Sequence, residues 1–177
     1  MKIVKQILIG LGILLALLLL VAAFLPKSLS LSETIVIRKP QKEVMDYLKV
    51  LKNQDAFSEW VKADPNLHPE ITGTDGTVGA KQSWNSKIDD VGEGNQTITA
   101  LTESRMDVDI EFIRPMKGKA KAGNILKPIS EKETELTVTF FMEANWPFNL
   151  MANTMGRYFV GKTEKQNLSN IKQILEK

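Results

Sequence analysis

Few side chains in this 177-residue sequence could carry out covalent or acid-base chemistry. A nucleophile needs a neighbouring base, yet the sequence has no cysteine and only one histidine, His68. His68 lies between Leu67 and Pro69 at the start of a predicted strand, which indicates a surface position. No histidine and cysteine cluster suits zinc, and Gly92-Glu93-Gly94 lacks the lysine and helix start of a phosphate-binding loop. We therefore assign no catalytic residue, no metal ligand and no cofactor.

Three acidic residues at alternate positions form the one pattern that suggests a metal. They are Asp107, Asp109 and Glu111, within a predicted strand. The next predicted strand carries Lys119 and Lys121 at the same spacing. If a loop at Pro115 joins the two strands, Glu111 faces Lys119 and Asp109 faces Lys121. This register favours a solvated ion-pair face over a metal site.

The opposite face of the same strands is apolar, as expected for a sheet with one face covered. From His68 onward the sequence alternates in this way over a run of predicted antiparallel strands. Two neighbouring strands differ in size, with Met106, Val108, Ile110 and Phe112 on one and Gly118, Ala120 and Ala122 on the other. Large residues against small ones either interdigitate in an ordinary core or leave a cavity. The last predicted strand, 135–144, adds Leu136, Val138, Phe140 and Met142.

A long C-terminal helix is predicted from Trp146 to Leu175, and it needs a partner for its apolar face. That face consists of Leu150, Met151, Met155, Tyr158, Phe159, Leu168, Ile171 and Leu175. Between Phe159 and Leu168 the inward positions fall to Gly161 and to polar residues such as Lys165. The helix therefore either bends near Gly161, with water or lysine stems filling the gap, or arches over a space that could hold a ligand.

The N-terminal segment is apolar enough to cross a membrane. Residues 7–25 contain no polar side chain and would form a helix of about 28 Å, close to the bilayer core of about 30 Å. A cleaved signal peptide is the alternative, but its apolar core is about 7 to 15 residues and ends in small residues. Here the run ends in Phe24-Leu25-Pro26-Lys27. We predict a single-pass anchor with its flank in residues 1–27 and a domain in residues 28–177.

The distribution of charge says little about the orientation of the chain in a membrane and more about its possible binding partners. Lys2 and Lys5 precede the apolar run, while Lys27 and Arg38 follow it, so the positive charges do not fix the orientation. The short charged start before one long apolar run resembles a signal anchor, which favours an extracytoplasmic domain. The net charge of +2 is cancelled when Lys2 and Lys5 are set aside. A neutral domain argues against a nucleic-acid partner.

The order of predicted elements is a strand at 34–38, two helical segments, further antiparallel strands and one long helix. Together with several short motifs, it resembles the START-like superfamily, specifically the small membrane-anchored proteins of the polyketide cyclase or dehydrase and lipid transport type. The matching stretches are Ile35 to Pro40 with Val44 and Tyr47, Phe57 to Trp60, Asp64 to Asn66, Gly79 to Lys81 with Ser83 and Trp84, Gly92 to Gly94, and Met155 to Arg157 through Gly161 to Leu168 and Ile171. They cover most of residues 30–177.

This resemblance implies an α+β helix-grip fold, in which the long C-terminal helix closes a curved antiparallel sheet over a deep apolar cavity. It carries no agreed catalytic residue onto this chain. We predict that the cavity is bounded by Gln82, Trp84, Met106, Ile110, Phe112, Ala122, Asn124, Phe140, Met142, Met155, Tyr158 and Gly161.

Three functions remain open at this point. The first is a membrane-tethered protein that binds a lipid or another apolar small molecule. The second is a cyclase or dehydratase that folds a reactive chain in the same cavity, with Tyr158 as the one plausible general acid. The third is a purely structural domain with a filled core. Neutral groups such as Gln82, Asn124 and Tyr158 favour the first, because they orient a ligand by hydrogen bonds better than they move protons.

Overall fold

The computed structural model describes residues 1–177 and arranges them as an N-terminal helix, a seven-stranded antiparallel sheet and a long C-terminal helix. The helices are α1 (Lys2–Phe24), α2 (Gln41–Leu48), α3 (Gln54–Phe57), α4 (Glu59–Lys62), α5 (Asn149–Met151) and α6 (Arg157–Leu175), with a 3₁₀ turn at Leu51–Asn53 and a π turn at Ala152–Gly156. The strands are β1 (Ser28–Ile37), β2 (Glu70–Thr72), β3 (Lys81–Asn85), β4 (Glu93–Leu101), β5 (Arg105–Arg114), β6 (Gly118–Ser130) and β7 (Glu133–Glu143). The predicted α+β helix-grip architecture is confirmed.

The sheet has the order β1-β7-β6-β5-β4-β3-β2, so only β1 pairs with a strand distant in sequence. The predicted register between β5 and β6 is confirmed, with Glu111 opposite Lys119 and Asp109 opposite Lys121. These residues face outward as expected, but no ion pair within 4.0 Å joins them. Glu111 instead accepts a hydrogen bond of 3.3 Å from Asn95 Nδ2 on β4. The face is therefore solvated and charged without close pairing.

The main core lies where α2 covers the inner face of the sheet. Pro40 immediately precedes α2, as its fixed φ favours, and Val44, Met45 and Leu48 are buried beneath the helix. They belong to a cluster of 14 buried residues drawn from β1, β4 to β7 and α6. This cluster occupies the end of the sheet at which β1 finishes and β7 begins.

The C-terminal helix runs along the edge strand β1. Lys165 forms a salt bridge of 3.6 Å with Glu33, Lys172 Nζ donates a hydrogen bond of 2.5 Å to the carbonyl of Val36, and Glu176 accepts one of 2.6 Å from the backbone N–H of Arg38. Contacts therefore follow β1 over most of its length. Helix α6 covers this edge and leaves much of the inner face beyond it uncovered.

The apolar face predicted for the C-terminal helix is right in its second half and wrong in its first. Leu168 and Ile171 are each only 2% exposed, but Met155 and Tyr158 are 59% and 64% exposed. The reason is the helical period: Tyr158 and Ile171 both lie in α6, and a separation of thirteen residues at about 100° each places them on nearly opposite sides of the helix. Near Gly161 the sequence allowed either a bend or a helix that arches over a space, and α6 is continuous through that residue, so the helix does not break there.

Helix α1 packs on the rest of the chain only at its C-terminal end. It is the one helix long and apolar enough to cross a membrane, although a signal sequence would meet the same criteria. Of its residues only Ala22 is buried. The amide of Asn149 donates hydrogen bonds to the carbonyls of Ala22, Leu25 and Pro26 at 2.7, 3.1 and 3.4 Å. The end of α1 is thus held by the segment that begins the C-terminal helix.

Candidate functional site

The inner face of the sheet is closed at one end and open at the other. At the end covered by α2, Ile37, Leu126 and Leu136 are no more than 3% exposed. At the opposite end, where α1 joins the sheet, Leu29 and Ala120 are buried, but six other inward side chains are only partly buried. These partly buried residues, which we call the open patch, are Trp84, Ile110, Phe112, Ala122, Phe140 and Met142. The open patch is the candidate binding surface.

The backbone of the neighbouring strand holds Trp84 in place. Its indole N–H donates a hydrogen bond of 3.3 Å to the carbonyl of Val91, and its ring meets Phe112 edge to face at a centroid distance of 6.5 Å. A Cβ on Gly94 would lie 2.6 Å from the indole Cζ2 atom. Residue 94 must therefore be glycine for the indole to adopt this position.

The amide predicted to orient a ligand is already used within the protein. Gln82 is 2% exposed, and its Oε1 accepts a hydrogen bond of 2.5 Å from Gln96 Nε2. Gln96 Nε2 also donates to Gln54 Oε1 at 2.7 Å, and Gln82 Nε2 donates to the carbonyl of Leu51 at 3.3 Å. These bonds tie the sheet to the segment after α2, and they use the Gln82 amide oxygen and one of its two N–H donors.

Sequence reasoning missed Glu164, the carboxylate on the buried side of α6. Glu164 is half-buried, and burial raises its pKa above the ordinary value for a glutamate. Asn167 Nδ2 donates a weak hydrogen bond of 3.5 Å to its Oε2, which acts in the opposite direction. The sequence did contain a signal for Glu164, because this residue lies four positions before the buried Leu168 and therefore on the same face of the helix.

The twelve residues predicted to bound a cavity fall into three groups. Gln82 and Met106 are fully buried in the core. Asn124 and the six members of the open patch lie partly buried on the inner face. Of the three helix residues, Met155 and Tyr158 are exposed, and Gly161 lies beside Glu33 of β1. The strand residues thus share the inner face of the sheet, and Met155 and Tyr158 are not packed against it.

An open groove of about 1090 Å³ lies between α6 and the strands β1 and β7. Three predicted residues, Phe140, Tyr158 and Gly161, are among its lining residues. The same groove has the cationic side chains of Arg157, Lys162 and Lys165 on its helix side. It is therefore a surface groove with aromatic and basic walls. No group of three or more histidine, aspartate or glutamate side chains is placed to hold a metal ion.

The fold, in which one end of the inner face of the sheet is open, is similar to the folds of several solved structures. A START superfamily protein from Mycobacterium smegmatis superposes with a TM-score of 0.59 and 10% identity over 84% of this chain and 97% of its own. A protein from Chromobacterium violaceum gives a TM-score of 0.60 and 12% identity over 84% and 97% of the two chains. The helix-grip fold of the START superfamily is therefore the fold of this chain.

A third solved structure shares the fold. The di-domain ARO/CYC StfQ from the steffimycin biosynthetic pathway superposes with a TM-score of 0.63 and 10% identity, over 84% of this chain and 51% of that one. The chain thus spans about half the length of StfQ. No protein-family model matches the sequence, and no curated protein has significant sequence similarity to it. At these identities the likeness concerns the fold alone.

Proposed function

We propose that this chain is a membrane-tethered binding protein for a lipid or another apolar small molecule, held between the inner face of the sheet and α6. Residues 1–27 are the anchor with its flank, and residues 28–177 are the binding domain. The observation that carries the proposal is the open patch, in which bulky apolar side chains lie together but only partly buried. Contiguous exposed apolar surface on a folded domain marks a binding surface.

The depth of the patch supports a small-molecule ligand. Ala120 and Ala122 separate the bulky residues of β5 from those of β7, because Ala122 pairs with Val108 on one side and with Phe140 on the other. A strip of short side chains between two taller ones would form a trough along the sheet. An acyl chain or a flat polycycle fits such a trough better than a protein side chain does.

The tether rests on the composition of α1 and on the short distance to the sheet. Helix α1 ends at Phe24 and β1 begins at Ser28, so the domain stays close to any membrane that α1 spans. We place the domain outside the cytoplasm, because a short basic start with Lys2 and Lys5 before one long apolar run is typical of a signal anchor.

A cyclase or dehydratase activity is the second candidate, and Glu164 is the observation in its favour. A half-buried carboxyl group whose pKa is raised is a candidate general acid. Tyr158, the general acid considered from the sequence, is exposed on the outside of the C-terminal helix. If the protein is an enzyme, Glu164→Gln abolishes turnover of an aromatic polyketide probe while leaving its binding intact.

Substitution of Ala122 by phenylalanine tests the binding function. The new ring would occupy the trough, so we expect retention of a fluorescent fatty acid to fall at least about tenfold, with little change in the unfolding midpoint. In a filled core the same change would overpack the site and cost roughly 1–3 kcal/mol. Ala100→Phe is the matched control, because Ala100 is exposed on β4 and its ring would meet only solvent. Native mass spectrometry of the purified chain would identify retained lipids, and the proposal fails if neither the probe nor a lipid binds.

A further inference from the structure

The segment between β7 and the middle of α6 exposes more large apolar surface than a water-facing loop and helix would. Six bulky side chains within residues 146–159 are between 46% and 65% exposed. They are Trp146, Phe148, Met151, Met155, Tyr158 and Phe159. We call this segment the apolar foot.

Hydrogen bonds fix the height of the apolar foot relative to α1. The indole Nε1 of Trp146 donates a hydrogen bond of 3.2 Å to the carbonyl of Leu19. Leu19 lies five residues before the end of α1 at Phe24, which corresponds to about 8 Å along a helix. If the apolar run of α1 fills the bilayer core, Leu19 lies below its surface, and Trp146 must lie there too.

The charges around the apolar foot suit a lipid surface. Between Glu143 and Glu164 the sequence contains no acidic residue and two basic ones, Arg157 and Lys162, both exposed. Lys27, at the end of α1, is exposed as well. Lysine and arginine next to exposed aromatic rings is the composition found where a protein meets lipid headgroups, with tryptophan and tyrosine at the interface and cations near the phosphates.

Two further loops lie at the same end of the sheet as the apolar foot. The loop between β5 and β6 leaves the sheet at the end where β1 begins and β7 finishes, and its Met116 is 64% exposed. The loop between β3 and β4 opens at this end also, with Ile88 42% exposed. Apolar side chains from three separate parts of the chain are therefore exposed at the end of the sheet from which α1 emerges.

We propose that the apolar foot lies within the interfacial layer of the bilayer that α1 spans, so that the domain rests on the membrane with its open patch next to the lipid. This inference depends on the tether in the proposed function, but it does not depend on ligand binding. The occupant is the lipid bilayer itself, because the bond from Trp146 to Leu19 places the foot alongside a helix surrounded by lipid.

The absence of cysteine in the chain permits a direct test by single nitroxide labels. The full chain in nanodiscs of phosphatidylcholine and phosphatidylglycerol would carry one label at Phe148→Cys or Met155→Cys. Two reference labels are Leu14→Cys in α1 and Lys132→Cys at the opposite end of the sheet. Each site is exposed, so the substitutions should leave the fold intact. Collision with oxygen and with a water-soluble nickel chelate reports the depth of each label.

We expect the labels at residues 148 and 155 to lose nickel accessibility and to gain oxygen accessibility, as at residue 14, while residue 132 keeps nickel accessibility. Nickel accessibility at 148 and 155 equal to that at 132, with residue 14 still protected, would overturn the inference and leave the tether standing. Water access at residue 14 would overturn the tether and the inference together. Dipolar broadening between labels at residue 148 would show that two copies of the chain contact each other through the apolar foot. That result would also overturn the inference.

Discussion

Gly94 of β4 lies directly beneath the indole of Trp84, so that a Cβ at residue 94 would be 2.6 Å from Cζ2 of the ring and 2.6 Å from the carbonyl oxygen of Glu111. Neither neighbour can move independently, because the indole is hydrogen-bonded to Val91 and the carbonyl belongs to a paired strand. We therefore expect Gly94→Ala to destabilise the domain by roughly 1–3 kcal/mol and to displace Trp84. Chemical denaturation and the near-ultraviolet circular dichroism of the indole would measure both effects.

Gly118→Ala is the matched control for this change. The nearest atom to a Cβ at residue 118 is Cδ2 of Phe112 at 3.8 Å, an ordinary van der Waals contact. Gly118 lies in a strand, so alanine there should cost nothing measurable or stabilise slightly. Equal effects of the two substitutions would show that Trp84 does not pack on Gly94 as described.

Glu164 should make stability depend on pH. Burial raises its pKa above the ordinary value of 4.5, so the folded state holds this proton more tightly than the unfolded chain does. The free energy of unfolding therefore falls as the pH rises through the window above 4.5. We expect Glu164→Gln to raise the melting temperature at about pH 7. At about pH 4 we expect no change, because the glutamate is then mostly protonated and, like glutamine, carries little charge. An equal gain at both pH values would exclude ionisation as its cause.

Asn149 should be essential for the junction between α1 and the domain. Its side chain is fully buried and donates to three carbonyls at the end of α1 and in the following turn. We expect Asn149→Ala to cost roughly 1–3 kcal/mol in the full chain. Asn149→Asp should cost more, because a carboxylate has no donor and would face those carbonyls directly. The control is Asn145→Ala at an exposed position, with an expected change within about 0.5 kcal/mol. Thermal unfolding in detergent would compare the three variants.

The membrane anchor predicts how the chain fractionates. A helix with the length and composition of α1 is held by lipid rather than by charge, so the chain should remain with membranes through high-salt and alkaline washing. Leu14→Lys together with Leu17→Lys should release it, because each charge at the centre of a span costs about 2.5 to 3.5 kcal/mol. If the unmodified chain washes off with alkali, α1 is a cleaved or peripheral segment.

The sheet could be predicted from the sequence because two independent patterns agree on it. The opposed charges of Glu111 and Lys119 and the apolar pairing of Ile110 with Ala120 require the same register, and the structure has that register. The start of α2 was equally clear, since Pro40 allows a helix to begin but not to continue through it. In both cases, the residue types along the sequence agree with a single backbone geometry.

The orientation of the first part of the C-terminal helix was not predicted, because the apolar face was drawn through residues that a helix does not align. At about 100° per residue, Tyr158 and Ile171 lie on nearly opposite sides of α6, and Tyr158 is exposed while Ile171 is buried. Met155 lies in the π turn at Ala152–Gly156 and is exposed as well. The packing of α6 on the sheet was predicted, but its bonds from Lys165 and Lys172 to β1 were not, because they depend on the tertiary structure. The inward parity of the strand residues was predicted from their alternation, and the carboxylate of Glu164 was not.

Asn149 couples the orientation of α1 to that of the domain through three hydrogen bonds from one side chain. If α1 spans a membrane, it tilts more in a thin bilayer than in a thick one. Because of this coupling, a change in tilt would also reorient the sheet, so membrane thickness would influence the angle at which the inner face beside Ala122 meets the lipid.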